Sequence, residues 1–491
     1  MAPVMTTGRY RRGGAKAARI AAAWLMAELV FGTTVLPGSA AAQSDGIPAR
    51  IEALEVYPNP SGAIGTFHKD GAITTADQPF FQPLGSNGRS CATCHRPSSG
   101  MSLSLREVQE RFSATGGADP LFAPIDGADC PTAGPADDER AHSLLLSRGV
   151  IRVPLPWPPR DASGKPLPVE FALSITAEDD PTRCNTDSNQ GLAAGFVSVY
   201  RRPPTVAQMN FKTLRADGQG PPLQGSITWD GRQPTLEAQS IDATRRHLQA
   251  TQDPTQDQLT QLVAYQVGVF TAQLLDPVAG RLDEAGGQGG PLQLRQQIPL
   301  PAGGTTFTEY SSWAGSPGKR GAIARGEALF NGWEFAARNV DGFNEVPGVG
   351  NPARGTTCST CHNIGSSGAD FFADPQRNIG IGGTGMSAGG PPPAEDLPRF
   401  TLTCRKGARP GFLGLGPIVT NDPGRALITG KCADIGRFTV PQLRALAARE
   451  PYFHDGTAQS LGAVVNFYNR RFSIGLGPAE QEDLVSFLAA L

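Results

Sequence analysis

Cys91-Ala-Thr-Cys94-His95 and Cys358-Ser-Thr-Cys361-His362 decide the reading of this chain. Each places two thiols three positions apart on what must be a single turn, with an imidazole directly after the second. That spacing lets the cysteines bond the two vinyl groups of one porphyrin while the histidine meets the iron from one side, the attachment signature of c-type haem. A zinc site would need a second cysteine pair nearby, and a redox dithiol would not need the trailing histidine twice. With only six histidines in the chain, two chance matches are a poor explanation. Two covalently attached haem c groups are therefore expected, one on Cys91, Cys94 and His95, the other on Cys358, Cys361 and His362.

The rest of the sequence agrees with export. Arg9, Arg11, Arg12, Lys16 and Arg19 precede an apolar run from Ile20 to about Leu36, and small residues Gly38 to Ala42 follow. This is the order of a secretory signal, read here as residues 1–42, with a periplasmic product. Glu28, Thr33 and Thr34 weaken the alternative of a retained membrane anchor, and no later segment reads as a span. The other four cysteines, at 130, 184, 404 and 432, can pair in three ways, of which Cys130–Cys184 and Cys404–Cys432 close the shortest loops. Cleavage after Ala42 removes five cations and one anion, taking the formal charge from -2 to -6. Such a chain has no basic field for a phosphate backbone, so nucleic acid is not an expected partner.

The 491 residues suffice for two or three domains. Gly (60) and Pro (43) are abundant and aromatics scarce (7%), which predicts long irregular connections. The expected fold is mainly α: two cytochrome c-like haem domains, 46–310 and 317–491, with long loops and an insertion at about 115–189 in the first. Helices are expected at Thr235 to Ala250, with Thr235 as N-cap, and at Leu259 to Leu275, Arg320 to Phe330, Val440 to Arg449, Leu461 to Tyr468 and Ala479 to Leu491. Leu144 to Leu155 reads as a strand or buried strap, and Gly280 to Ser316 as a linker. The haems themselves supply much of the core.

What occupies the sixth position of each iron decides the chemistry: a strong ligand gives an electron carrier, an open face beside an acid/base group can cleave peroxide. Downstream of the leader the methionines are Met101, Met209 and Met386, and Met386 stands in a glycine-rich run after His362 from which its sulfur could reach the second iron. The remaining histidines are His68, His142, His247 and His454.

In these features the chain resembles the bacterial dihaem cytochrome c peroxidases and their relative, the methylamine dehydrogenase maturation enzyme. The likeness is carried by the two haem motifs, by Trp229-Asp-Gly-Arg232 followed by Leu236-Glu-Ala-Gln239, and by Val440-Pro-Gln-Leu-Arg444 running into Pro451-Tyr-Phe-His-Asp-Gly456. It covers most of residues 80–110, 200–250 and 320–491. The resemblance implies a peroxidatic first haem, an electron-collecting second haem and an intervening tryptophan, Trp229. It also implies Gln239 in the peroxide pocket. Where the family has a catalytic glutamate this chain has Gln249, which cannot take a proton. His247 is the candidate to replace it. Gln239, Ala243 and His247 recur every four residues on one helical face, and an imidazole ordinarily titrates near neutrality. A sixth-ligand role or a structural role for His247 stays open.

On the second haem, Tyr468 stands where the peroxidases place a ligating methionine and the maturation enzyme a tyrosine. A phenolate would stabilise oxidised iron. Tyr468 is the favoured ligand and Met386 the alternative, with plain packing the other reading of each. His454 matches a family histidine near the second haem. The family's calcium would fall at Arg202, whose positive charge argues against a second cation. Expected partners are hydrogen peroxide and a small cytochrome c or cupredoxin donor, with a homodimer compatible with the resemblance. The favoured function is peroxide reduction. A high-valent oxidase acting on a protein or organic substrate and a non-catalytic dihaem electron carrier are the alternatives.

Overall fold

The computed structural model describes residues 47–213, 227–297, 306–363, 376–384 and 390–491. The expected leader, residues 1–42, and Met386 lie outside them. Residues Gln43–Leu491 form one compact unit.

Helices account for 33% and strands for 18% of the structure, so the chain is mixed rather than mainly α. The strands come from segments that the helical reading passed over. Leu54–Asn59 and Gly62–His68 form an antiparallel hairpin, and Val269–Asp276 pairs along its inner edge with Phe270 opposite Phe67. The helix expected over Leu259 to Leu275 therefore stops early. It runs Gln256–Gly268, opened by a reciprocal cap in which Thr255 and Gln258 satisfy each other's backbone amides at 2.9 and 3.2 Å. Val269, Phe270 and Thr271 favour a pleated surface over a helix, and the waiting hairpin edge decides the switch.

Leu144 to Leu155 divides into a helix, Ser143–Arg148, and a strand, Ile151–Pro156, which pairs with Phe196–Arg201. Disulfides join Cys130 to Cys184 and Cys404 to Cys432, the two shortest-loop pairings. Phe171–Ser174, within the expected insertion, forms a sheet with Phe400–Cys404 and Ile418–Thr420 from much later in the chain. The buried residues around it, Phe122, Phe171, Phe400 and Leu402 among them, form one core with Ile151 and Val153.

A second core gathers Phe307, Tyr310, Trp313, Ile323, Phe330, Leu484 and Phe487. Its helices are Gly318–Gly332, Leu461–Phe472 and Pro478–Ala490, close to expectation. A Cβ at Gly326 would fall 2.0 Å from the Asp483 carbonyl oxygen, so only glycine permits the approach of the first helix to the last. Residues 280–297 and 306–316 do not behave as a linker. They contribute a short strand, a helix Pro291–Gln296 and the buried Tyr310 and Trp313. Val440 to Arg449 is not a helix either. Ala445 adopts φ 56°, and only a single turn, Leu446–Ala448, follows. Among the described residues no helix is long and apolar enough to cross a membrane.

Candidate functional site

Both cysteine–histidine motifs sit on short turns built alike. The Ser90 amide donates to the Thr93 hydroxyl at 3.0 Å, and the Thr357 amide to that of Thr360 at 3.0 Å. This closes each turn so that both thiols and the following imidazole open onto one cavity. Cys91, Cys94 and His95 line one cavity, and Cys358, Cys361 and His362 line another; the empty space, part of it open to solvent, is about 1090 Å³ at the first and about 1600 Å³ at the second. A dithiol turn with its imidazole on the wall of a large cavity is the donor set a covalent porphyrin needs, so the residues present fit haem c in both places. His95 Nδ1 lies 3.1 Å from the Met101 carbonyl, an acceptor that leaves Nε2 for a metal. Burial pushes this imidazole down to about 4, which keeps it neutral as a ligand must be.

The helix Leu236–His247 forms another wall of the first cavity. Thr235 caps it, accepting from the Ala238 amide at 3.1 Å, and Gln239, Ala243 and His247 all line the cavity as their spacing predicts. Gln249 does not. It lies past the helix end at φ 57°, exposed, and its carbonyl accepts from Ser86 at 3.0 Å.

His247 has a partner that no local pattern signals. Its Nδ1 lies 2.5 Å from Oδ2 of Asp126, a carboxylate whose side chain is 2% exposed and whose other oxygen is held by Arg89. Burial works to raise the Asp126 carboxyl, but the Arg89 charge and the His247 contact hold it below the ordinary carboxylate range. The two residues stand 121 positions apart, and the intervening chain contains nothing that pairs them in sequence.

The second cavity is walled by apolar side chains, including Phe330, Val340, Phe343 and Leu461. Tyr468 lines it with its ring centroid 6.5 Å from that of His362 and the rings nearly perpendicular (84°). Burial raises its phenol above the ordinary value.

Trp229 lines both cavities, as do Arg202 and Pro203. The indole Nε1 donates to the Arg202 carbonyl at 2.8 Å, and the Arg202 amide donates to the His454 carbonyl at 2.6 Å. His454 is fully buried, stacked on Phe438 with centroids 4.0 Å apart and 6.1 Å from the Trp229 ring. It packs behind the second cavity rather than lining it. The Trp229-Asp-Gly-Arg232 motif gains its meaning here. Asp230 binds Arg201 and Arg232, and Arg201 continues to Asp422 at 2.7 Å, giving a buried ion network between the cavities.

Arg202 ends in a cage of backbone carbonyls: Arg148 at 3.1 Å, Gly149 at 3.4 Å, Arg449 at 3.0 Å, and Leu103. Burial, with Arg449 nearby, lowers this guanidinium to about 9, still a cation at neutrality. Of the other histidines, His142 bridges the carbonyls of Gly127 and Ala136 at 2.8 and 3.0 Å, and His68 is buried beside Tyr265. Asp126 and Arg89 are thus the residues that sequence reasoning missed.

No protein-family model matches the chain. Among curated proteins, cytochrome-c peroxidase IdrP2 of Denitromonas iodatirespirans is 29% identical over 337 residues, covering 66% of this chain and 77% of the relative. Cytochrome-c peroxidase IdrP1 of the same organism is 37% identical over 81 residues, 14% of this chain and 22% of its own length. A solved MauG-like protein associated with microbial copper homeostasis aligns over 84% of this chain and 87% of its own at 16% identity, with a TM-score of 0.36, too remote to argue from. Taken with the paired attachment turns, the peroxidase relatives identify this chain as an oxidoreductase similar to the dihaem cytochrome c peroxidases.

Proposed function

We propose that the protein is a periplasmic peroxidase that reduces hydrogen peroxide at the first haem. One peroxide takes two electrons and two protons and leaves as two waters. The observation that carries this reading is the placement of Gln239 and His247, on one helical face, in the wall of the same cavity that Cys91, Cys94 and His95 line. When bound, the haem supplies an iron that accepts the oxidant and redistributes electrons. The chain supplies the rest. Cys91 and Cys94 tether the first group and His95 holds its metal, while Gln239 orients the peroxide through its amide. His247 takes a proton from one peroxide oxygen and returns it to the other, which departs as water.

Electrons enter from a small cytochrome c or cupredoxin. They pass by the second haem, held by Cys358, Cys361 and His362, and cross near Trp229, which borders both cavities. In this reading the two haem units are the cytochrome c-like segments 46–310 and 317–491, and residues 1–42 direct export.

Peroxide turnover with a reduced small cytochrome c, in wild type and His247→Ala, tests the proposal. Loss of a general acid–base should lower kcat/KM by ~10²–10⁴, while the oxidised wild type should show one high-spin haem. Two low-spin haems indifferent to peroxide would make the protein an electron carrier. A second reading, a high-valent oxidase of a protein or organic substrate, is favoured by Tyr468 facing His362, since a phenolate ligand would stabilise oxidised iron. Oxidation of an added organic donor by peroxide, without turnover of a cytochrome, would select it.

A further inference from the structure

An imidazole can serve as a base only at a nitrogen that carries no proton, so the tautomer of His247 matters as much as its position. Its surroundings fix that tautomer. Arg89 is 1% exposed, and each of its donor groups has an acceptor: Nε donates to the Pro120 carbonyl at 2.6 Å, Nη2 to that of Leu121 at 2.7 Å, and Nη1 to Asp126. A guanidinium only donates, so Asp126 Oδ1 is committed as an acceptor and the carboxylate is anchored from behind. Its second oxygen, Oδ2, reaches His247 Nδ1 at 2.5 Å. The backbone of His247 is held as well, its carbonyl accepting from Asn87 at 2.8 Å and from Arg89 at 3.4 Å. An ionised carboxylate has no proton to give, so Nδ1 must be the donor. His247 Nε2 makes no hydrogen bond among the described residues, while the side chain borders the first haem cavity.

We propose that Asp126, clamped by Arg89, is a positioning residue that sets the Nδ1–H tautomer of His247 and thereby presents Nε2 as the proton acceptor of the first cavity. This rests on the peroxide-reducing reading above and assigns the group that makes His247 competent for it. The arrangement is a base oriented by a third group, the logic by which an acid–base pair gains both geometry and tautomer. In the shuttle, Nε2 receives the proton of one peroxide oxygen and delivers it to the other as the O–O bond breaks. The donor's two electrons and two solvent protons complete two waters, and His247 and Asp126 end as they began.

Asp126→Asn is the discriminating variant. Arg89 would still demand an acceptor, so the amide oxygen would stay on its side and the amide N–H would turn to His247. Nδ1 would then have to accept, and the ring proton would move to Nε2, facing the cavity. The expected result is a fall in kcat/KM for peroxide of ~10²–10⁴ with little change in KM for the reduced cytochrome. Asp126→Asn added to His247→Ala should cause no further loss, since Asp126 acts only through that ring.

A second readout is independent of turnover: the infrared C–O stretch of the reduced protein with carbon monoxide, at mildly alkaline pH. The Gln239 amide is common to both proteins, so the wild type, with no N–H on His247 aimed into the cavity, should lack the lowered-frequency band that Asp126→Asn gains. An Asp126→Asn protein with both haems, wild-type turnover and an unshifted C–O stretch would overturn the proposal, as would additive losses in the double variant. Should Asp126→Asn fail to mature, comparison of wild type with His247→Ala still decides: a lowered band in wild type that His247→Ala removes means Nε2 carries the proton. If the wild type itself does not turn over peroxide, the functional reading fails, while the infrared comparison still judges the tautomer on its own.

Discussion

Replacing Arg201 by methionine should unlock the wall between the two cavities. Arg201 closes the strand Phe196–Arg201, and its guanidinium, 3% exposed, binds Asp422 through Nε and Nη2 at 2.7 and 3.0 Å and Asp230 through Nη1. Asp230 keeps Arg232 at 3.1 Å, but Asp422 is left with the Gly424 amide at 2.8 Å and His454 at 3.6 Å. Removing one partner from a buried pair typically costs about 3–5 kcal/mol, because a charge stays behind in a medium that cannot solvate it.

For a compact unit spanning Gln43–Leu491, an unfolding entropy of about 2.1 cal/mol/K per residue amounts to about 0.9 kcal/mol/K, which converts that cost into a Tm lower by about 3–5 °C. The pH dependence has a definite sign. Burial works to raise the Asp230 carboxyl, but Arg232 and Arg201 hold it well below its ordinary value. Its contribution is therefore present above the unfolded carboxylate pKa, about 3.9, and is lost as pH falls through the depressed one. Without Arg201 the Asp230 carboxylate protonates at higher pH than in the wild type, so the gap between wild type and variant should narrow as pH falls below the ordinary carboxylate range. Calorimetry of the haem-loaded protein at neutral and acid pH would measure both effects, and Arg201→Met with Asp422→Asn should recover most of the loss. A single variant melting within about 1 °C of wild type at neutral pH, or a gap indifferent to pH, would refute the reasoning.

Trp229→Phe removes the indole donor to the Arg202 carbonyl. It should cost about 1 kcal/mol of stability and slow turnover with a cytochrome donor, yet leave carbon monoxide binding to the first haem unchanged. Tyr468→Phe should alter the oxidised spectrum of the second haem and raise its midpoint potential if the phenol reaches that iron; identical spectra and potentials would reduce Tyr468 to packing. Paired serine substitutions at Cys404 and Cys432, which close 28 residues, should cost about 3.6 kcal/mol in urea unfolding, and those at Cys130 and Cys184, which close 54, about 4.2 kcal/mol. Because Arg202 occupies a carbonyl cage with its own positive charge, a calcium chelator should leave the Tm unchanged, whereas Arg202→Asn should lower it.

What the sequence made legible was whatever repeats locally. The two attachment turns, the helix Leu236–His247 with its cap and cavity face, and the C-terminal helices follow from spacings of three and four residues that need no knowledge of distant chain. The disulfides followed from loop length alone. The failures share the opposite cause. Val269–Asp276 is apolar enough for a helix, and only a hairpin more than 200 residues earlier makes it a strand. Val440 to Arg449 carries a helix-like pattern that the left-handed Ala445 interrupts. Asp126 looks like any loop aspartate until folding brings His247 to it. Arg202, read only as a cation opposing a metal, proves to engage the carbonyl oxygens of several separate segments.

The sheet that unites Phe171–Ser174 with Phe400–Cys404 carries a consequence for biogenesis. Ile151 and Val153, which line the first cavity, share a core with Phe171, Phe400 and Leu402, so the backing of that cavity is completed by chain made long after Cys91 and Cys94. A nascent polypeptide ending before residue 400 presents both thiols on a shell still lacking its rear wall. The packing behind Ile151 and Val153 is thus finished only when Phe400 and Leu402 dock against Phe171, more than 300 residues after the first thiol.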